Sequence, residues 1–108
     1  MNKQGFFNLV KDNYYKNQET TLAELCEMYN YIAPIFGTLR TEIEKSNGNT
    51  KIIFVDDDDG VSTVSMTLYL DRKNIIEAVE HGLSIFTPAN KDLILFYGSL
   101  IGKKIRYI

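Results

Sequence analysis

Cysteine, histidine and proline are all scarce in this chain of 108 residues, with one, one and two copies respectively. The single Cys26 excludes a disulfide framework and a thiolate metal cluster, and it points to a reducing compartment. His81 is the lone imidazole, with no Cys, Ser or Asp at catalytic spacing, so no nucleophile–base pair is legible. Gly-rich phosphate loops are missing, and Ser99 in "GSLIG" lacks the strand–turn–helix setting of a nucleophile elbow. No window reaches the ~18 apolar residues of a membrane span. The opening MNKQGFFNLV has neither the apolar core nor the small-residue cleavage site of a secretory signal. An excess of positive charge is missing too. Twelve Lys and Arg against fourteen Asp and Glu leave a net charge of −2, and the only dense cationic group is Lys103, Lys104 and Arg106. Nucleic-acid binders draw much of their affinity from a basic face that displaces counterions. These absences predict a cytoplasmic, non-enzymatic protein with no cofactor, no metal and no membrane partner, and they disfavour nucleic acid.

What is present is apolar and aromatic. Hydrophobic residues make up 44% of the chain, with seven tyrosines and six phenylalanines. That suffices for a single domain over residues 1–108 that buries roughly two-thirds of its unfolded surface. Residues 4–16 predict a first helix through Phe7, Val10 and Tyr14. Thr21 is placed to cap a second, with Glu24 three residues on to return a bond to the cap. From there Leu22, Leu25, Tyr29, Ile32, Phe36, Leu39 and Ile43 recur at spacings of three and four. That stripe predicts helix across 21–46, bent or divided near Ala33 by Pro34 and stopped at Gly48 in "SNGN".

"TKIIFV" and "VSTVSMTLYL" read as strands, the second turning Ser62, Val64, Met66, Leu68 and Leu70 inward. Another helix is expected from Asn74 to Phe86. Asn74 and Glu77 would cap it, Ile75, Ile76, Val79, Leu83 and Phe86 would be its buried stripe, and Pro88 marks its end. For the last segment, a helix from Asp92 to Gly102 with a terminal strand competes with two strands turning at Gly98–Ser99. Aromatic and β-branched content favours the strands. The expected fold class is α+β: N-terminal helices, a central β-hairpin, one further helix, and C-terminal strands completing a small antiparallel sheet.

The segment "IIFVDDDDGVST" carries the densest charge. Counted from Asp56, glycine falls at position five and Thr67 at twelve, which fails the glycine-six, glutamate-twelve pattern of a calcium loop. Asp57, Asp59 and Gly60 resemble the haloacid-dehalogenase motif, but that fold needs a long doubly wound sheet, and this strand begins halfway along a short chain. Asp-Gly is a strong hairpin-turn signal, so Asp56, Asp57, Asp58 and Asp59 are expected on an exposed tip. Such a tip imitates a run of phosphates before a basic groove. If it only solvates a turn, replacing Asp56, Asp57 and Asp58 by Asn should barely change folding. Four tyrosines, Tyr14, Tyr15, Tyr29 and Tyr31, exceed the need of one core face, and Tyr29 and Tyr31 join the aspartates as candidate partner-binding residues. Cys26 is expected as a small, buried hydrophobe.

The order helix, "TLAELCEMYN", turn, "PIFGTLRTEIEKSNG", hairpin, helix resembles a winged helix-turn-helix domain. The resemblance implies a recognition helix over residues 34–47 and a wing at Asp56–Asp59. Its charge runs against DNA: Leu22 to Gly48 holds Arg40 and Lys45 against Glu24, Glu27, Glu42 and Glu44, and the wing is anionic. The expected function is a non-catalytic protein-binding module, a small acidic inhibitor or adaptor from a mobile element acting on a host enzyme. Its partner would be a protein with a basic surface, and it would work as a monomer or homodimer. In size and charge it is similar to the nuclease-occluding proteins of mobile elements, anti-CRISPR proteins included. A winged-helix DNA-binding regulator is the alternative.

Overall fold

The computed structural model describes residues 3–33, 35–81 and 90–107. Helix α1 (Lys3–Lys16) leads to a short strand β1 (Glu19–Thr21), which runs straight into α2 (Leu22–Ile32). Four strands follow, β2 (Thr38–Ser46), β3 (Asn49–Asp58), β4 (Val61–Leu70) and β5 (Ile76–His81), and they form an antiparallel sheet in the order β2-β3-β4-β5. Helix α3 (Asn90–Leu100) and strand β6 (Lys104–Arg106) come last, with β6 parallel to β1 in a separate two-stranded sheet. The architecture is α+β, as the sequence pattern predicts. No helix among the described residues is long and apolar enough to cross a membrane.

The second helix starts where its capping residue places it. Thr21 Oγ1 accepts the Glu24 N–H at 3.0 Å. The return bond of a capping box is replaced by a tertiary one. The Thr20 hydroxyl donates to Glu24 Oε1 at 3.0 Å and meets the Tyr14 hydroxyl at 2.9 Å, tying α2 to α1. Ala33, at the helix end, is already extended with ψ of 144°, the conformation that a following proline enforces.

Beyond Ala33 the helical expectation fails. Residues 38–46 are β2, and Asn47 (φ 54°) and Gly48 (φ 83°) form the two-residue turn into β3. Leu39 and Ile43 share one face of that strand. A spacing of four satisfies a strand's period as well as a helix's, so the apolar stripe could not distinguish them. The recognition helix that a winged-helix domain requires over 34–47 is therefore absent, and that arrangement does not apply.

A second correction concerns residues 74–81. The Asp71 carboxylate accepts the N–H groups of Lys73 (2.8 Å) and Ile75 (3.0 Å), Asn74 takes φ of 64°, and the chain enters β5 instead of a helix. In β5, Ile76 pairs with Leu70 while Ala78 pairs with Tyr69, leaving Glu77 as an extra, bulged residue. The bulge lets Ile76 and Val79 face the same side although they lie three apart, which is what imitated helical spacing. Leu83, Phe86 and Pro88 lie outside the described residues.

The C-terminal segment resolves the other way from the strand reading. Leu93, Phe96, Tyr97 and Leu100 are buried at helical spacing on α3, and only Lys104–Arg106 is strand. Packing of that stripe outweighs the local β-propensity of its residues.

The helices cover one face of the sheet. Ile52, Phe54, Met66 and Leu68 point into the core beneath Leu25, Tyr29 and Phe96, all essentially inaccessible to water. Tyr29 stacks on Phe96 (centroids 5.8 Å apart) and meets Phe54 edge-on. Another bulge sits between the pairs Phe54–Met66 and Val55–Val64, leaving Ser65 unpaired in the ladder. Met66, Leu68 and Leu70 face inward as expected, but past the bulge Ser62 and Val64 turn to the opposite face, and Val64 is 56% exposed. Ser65 turns into the core, its hydroxyl 2.5 Å from that of Tyr29, which also lies 3.3 Å from the Tyr97 hydroxyl.

The junction of α1 with β6 is closed by an unusual buried cation. Lys103 is almost inaccessible, and its ammonium donates to the Tyr14 carbonyl at 2.7 Å, to Tyr15 at 3.3 Å and to Asn17. These carbonyls lie at the C-terminal end of α1, where the intrahelical donors run out and the helix dipole is negative; that of Tyr14 also accepts the Asn17 N–H at 3.2 Å. Register holds the lysine there, because β6 lies beside β1 and the Ile76 N–H donates to the Lys103 carbonyl at 2.9 Å.

Candidate functional site at the β3–β4 end of the sheet

The four aspartates do not act as one cluster. Strand alternation sends Asp56 and Asp57 to opposite faces, and the Asp59–Gly60 turn (φ 49° and 82°) carries the chain into β4, as the Asp-Gly signal predicts.

Asp56 is an internal residue, only 7% exposed. Its carboxylate accepts the backbone N–H groups of Phe36 and Gly37, each at 2.9 Å, and so clamps the α2–β2 loop to β3. Gly37 packs so tightly that a Cβ there would sit 1.9 Å from the Asp57 carbonyl oxygen. Asp57 pairs with Arg40, and the Ser62 hydroxyl donates to it at 2.5 Å. The Ser62 bond, followed by the guanidinium of Arg40, holds the Asp57 carboxyl below its ordinary pKa. Arg40 in turn reaches Glu42 at 2.6 Å. Only Asp58 and Asp59 stand exposed at the tip with no ion pair among the described residues.

The clamp presents one side chain. Phe36, which the apolar stripe placed in the interior, is 81% exposed on the loop that Asp56 fixes. Gly37 lies against Asp57 and Asp58, and Val61, 63% exposed, pairs with Asp58 across the turn. Phe36, Val61, Asp58 and Asp59 thus share one end of the sheet.

The two candidate tyrosines lie elsewhere. Tyr29 is fully buried at the centre of the core and offers no surface to a partner. Tyr31 is half-buried on α2, its hydroxyl donating to Glu27 at 2.7 Å, a bond that raises its pKa. Cys26 is half-buried against the core and its thiol pKa is raised by burial. Among the described residues no three His, Cys, Asp or Glu side chains converge as metal ligands. A groove of about 300 Å³ between α1 and α2 holds Glu24 and Glu27, but both already accept hydroxyls from Thr20 and Tyr31.

Asp56 was missed as a structural residue although a signal existed. Counting by twos from Ile52 and Phe54 puts it on the inward face, where a carboxylate must find donors. The expectation for the aspartates therefore divides. Asp56→Asn loses one acceptor and sets an amide against an N–H donor, and should destabilise the fold by about 2 kcal/mol. Asp58→Asn and Asp59→Asn should each stay within about 0.5 kcal/mol. Urea denaturation of the three variants checks this, and equal midpoints would refute the clamp.

Comparison with protein-family models, with curated proteins and with solved structures finds no match.

Proposed function

We propose that this chain is a non-catalytic, cytoplasmic binding module, an inhibitor or adaptor that engages a protein partner through Phe36 and the Asp58–Asp59 tip. The observation that carries this reading is the 81% exposure of Phe36 on a loop held by two hydrogen bonds from its backbone to Asp56. Exposing an aromatic ring to water has no benefit for the fold. A loop backbone fixed before binding loses little conformational entropy on contact, and aromatic anchors dominate interface energetics. The two free carboxylates beside it define the complement: an apolar pocket on the partner, rimmed by Lys or Arg. Mutual attraction of opposite charges raises the encounter rate, while the buried ring sets the lifetime of the complex.

The test begins by isolating the partner from the native host and measuring association and dissociation separately. Phe36→Ala should speed dissociation roughly thirtyfold, the equivalent of a hot spot worth about 2 kcal/mol. Asp58→Asn combined with Asp59→Asn should slow association at low salt and flatten its salt dependence. Unchanged kinetics in both folded variants would place the contact elsewhere.

A further inference from the structure

We infer that β2 is a self-recognition edge, through which two copies of this chain pair antiparallel to extend the four-stranded sheet into one of eight strands. Strand β2 ends the sheet order β2-β3-β4-β5 and is nine residues long. Among the described residues its backbone bonds only to β3. A long, straight edge with unpaired N–H and C=O groups is a template for a further strand.

The phase of the free backbone groups follows from the turn. A two-residue hairpin closes with a pair that exchanges both hydrogen bonds, here Ser46 and Asn49, and bonded and non-bonded pairs then alternate along the ladder. Leu39, Thr41, Ile43 and Lys45 therefore direct their N–H and C=O groups away from β3. A second β2 related by a two-fold axis must pair these odd-numbered positions with each other.

Side chains choose among the registers this allows. Centring the axis on Arg40 or on Glu42 sets a residue against its own like charge. Centring it on Ile43 places Glu42 against Glu44 of the second copy, twice. Of the registers that pair at least five residues of each β2, only the one centred on Thr41 avoids every like-charge pair. It sets Arg40 against Glu42 of the second copy and Leu39 against Ile43 of the second copy, each twice by symmetry. Opposite charges directly across a ladder are favourable and like charges unfavourable. Arg40 and Glu42 already adjoin at 2.6 Å on the outer face, so pairing builds an alternating four-charge cluster there. On the other face it covers Ile43, which is 43% exposed in the single chain. Charges on an edge strand ordinarily repel a neighbour, and here their order makes them complementary in one register.

Sedimentation of the full chain over a concentration series tests the inference. The expected result is a reversible monomer–dimer equilibrium in the micromolar range. Thr41→Pro removes an N–H that bonds nothing among the described residues, so it should leave the circular dichroism spectrum unchanged and abolish the dimer. If Thr41→Pro fails to fold, Glu42→Arg provides the same reading by placing four guanidinium groups across the seam. Register is read by cysteine variants carrying Cys26→Ala. Under mild oxidation Thr41→Cys should cross-link to a covalent dimer and Ile43→Cys should not, because only position 41 meets itself at disulfide distance. A chain that stays monomeric at millimolar concentration, a dimer indifferent to both edge variants, or preferential cross-linking at position 43 would each overturn the proposal.

Discussion

Replacing Lys103 by Met should cost the fold about 3 kcal/mol, a large share of the 5–15 kcal/mol that stabilises a typical domain. The variant preserves the apolar stem and removes the ammonium that serves the carbonyls of Tyr14, Tyr15 and Asn17. The Tyr14 carbonyl keeps the Asn17 N–H at 3.2 Å, each inward carbonyl left without a donor costs about 1–3 kcal/mol, and the favourable place of the cation at the negative end of α1 is lost. Relief from desolvating the charge opposes these losses, and burial does lower the lysine's pKa. That shift means the fold disfavours the charge itself, and the expected loss comes from the donors that methionine cannot supply to the carbonyls, since all three ammonium protons are used. Denaturant unfolding of wild type and variant measures the difference. Amide exchange should locate the weakening at the end of α1 and along β1–β6. A loss under about 0.5 kcal/mol would mean that desolvation cancels the bonds.

Alkaline unfolding should be cooperative and should begin just above pH 10. Tyr14, Tyr29 and Tyr97 are buried, and desolvation raises the pKa of all three; burial, with Asp92 and Asp12 adding, pushes Tyr15 up to about 12. An unfolded tyrosine ionises near 10. Below that pH both states hold the proton and the contribution to stability is complete. Above it the unfolded chain gains by ionising while the folded chain cannot, so each buried tyrosine removes about 1.4 kcal/mol per pH unit, or about 4 kcal/mol for three. Lys103 acts with the opposite sign, but only below the ordinary lysine value of 10.5. Tyrosinate absorbance and far-ultraviolet circular dichroism should therefore change together, in a transition steeper than one proton allows. Tyrosinate appearing near pH 10 with the dichroism intact would show that these hydroxyls are open to water.

The tyrosine cluster also marks where sequence reading stops. Tyr14 and Tyr29 stand at helical spacing from their apolar neighbours, which is legible as a core face. That their hydroxyls meet Thr20, Ser65 and Tyr97 is not, since Ser65 lies 36 residues from Tyr29 and turns inward only through a bulge. The same limit explains Asp56, whose partners lie about 20 residues earlier in the chain, and Phe36, whose exposure depends on that clamp.

Local interactions wrote part of this fold directly into the sequence. The Thr21 cap with Glu24, the helix-breaking step at Ala33–Pro34, the Asp59–Gly60 turn and the alternation of Met66, Leu68 and Leu70 each depend on neighbours within a few residues. Each appears in the structure where the sequence places it. Tertiary structure decided the rest. Leu39 and Ile43 satisfy two periodicities at once, and the hairpin to β3 selected the strand. Ile76 and Val79 acquired a helix's spacing from the Glu77 bulge, and pairing with β4 selected the strand again. Residues 90–100, rich in strand-forming side chains, became α3 because the buried stripe Leu93, Phe96, Tyr97 and Leu100 fits the aromatic core beside Tyr14 and Tyr29. Periodicity in a sequence reports which side chains share a face, and where two backbones offer that same face, the contact partner across the core determines which one forms.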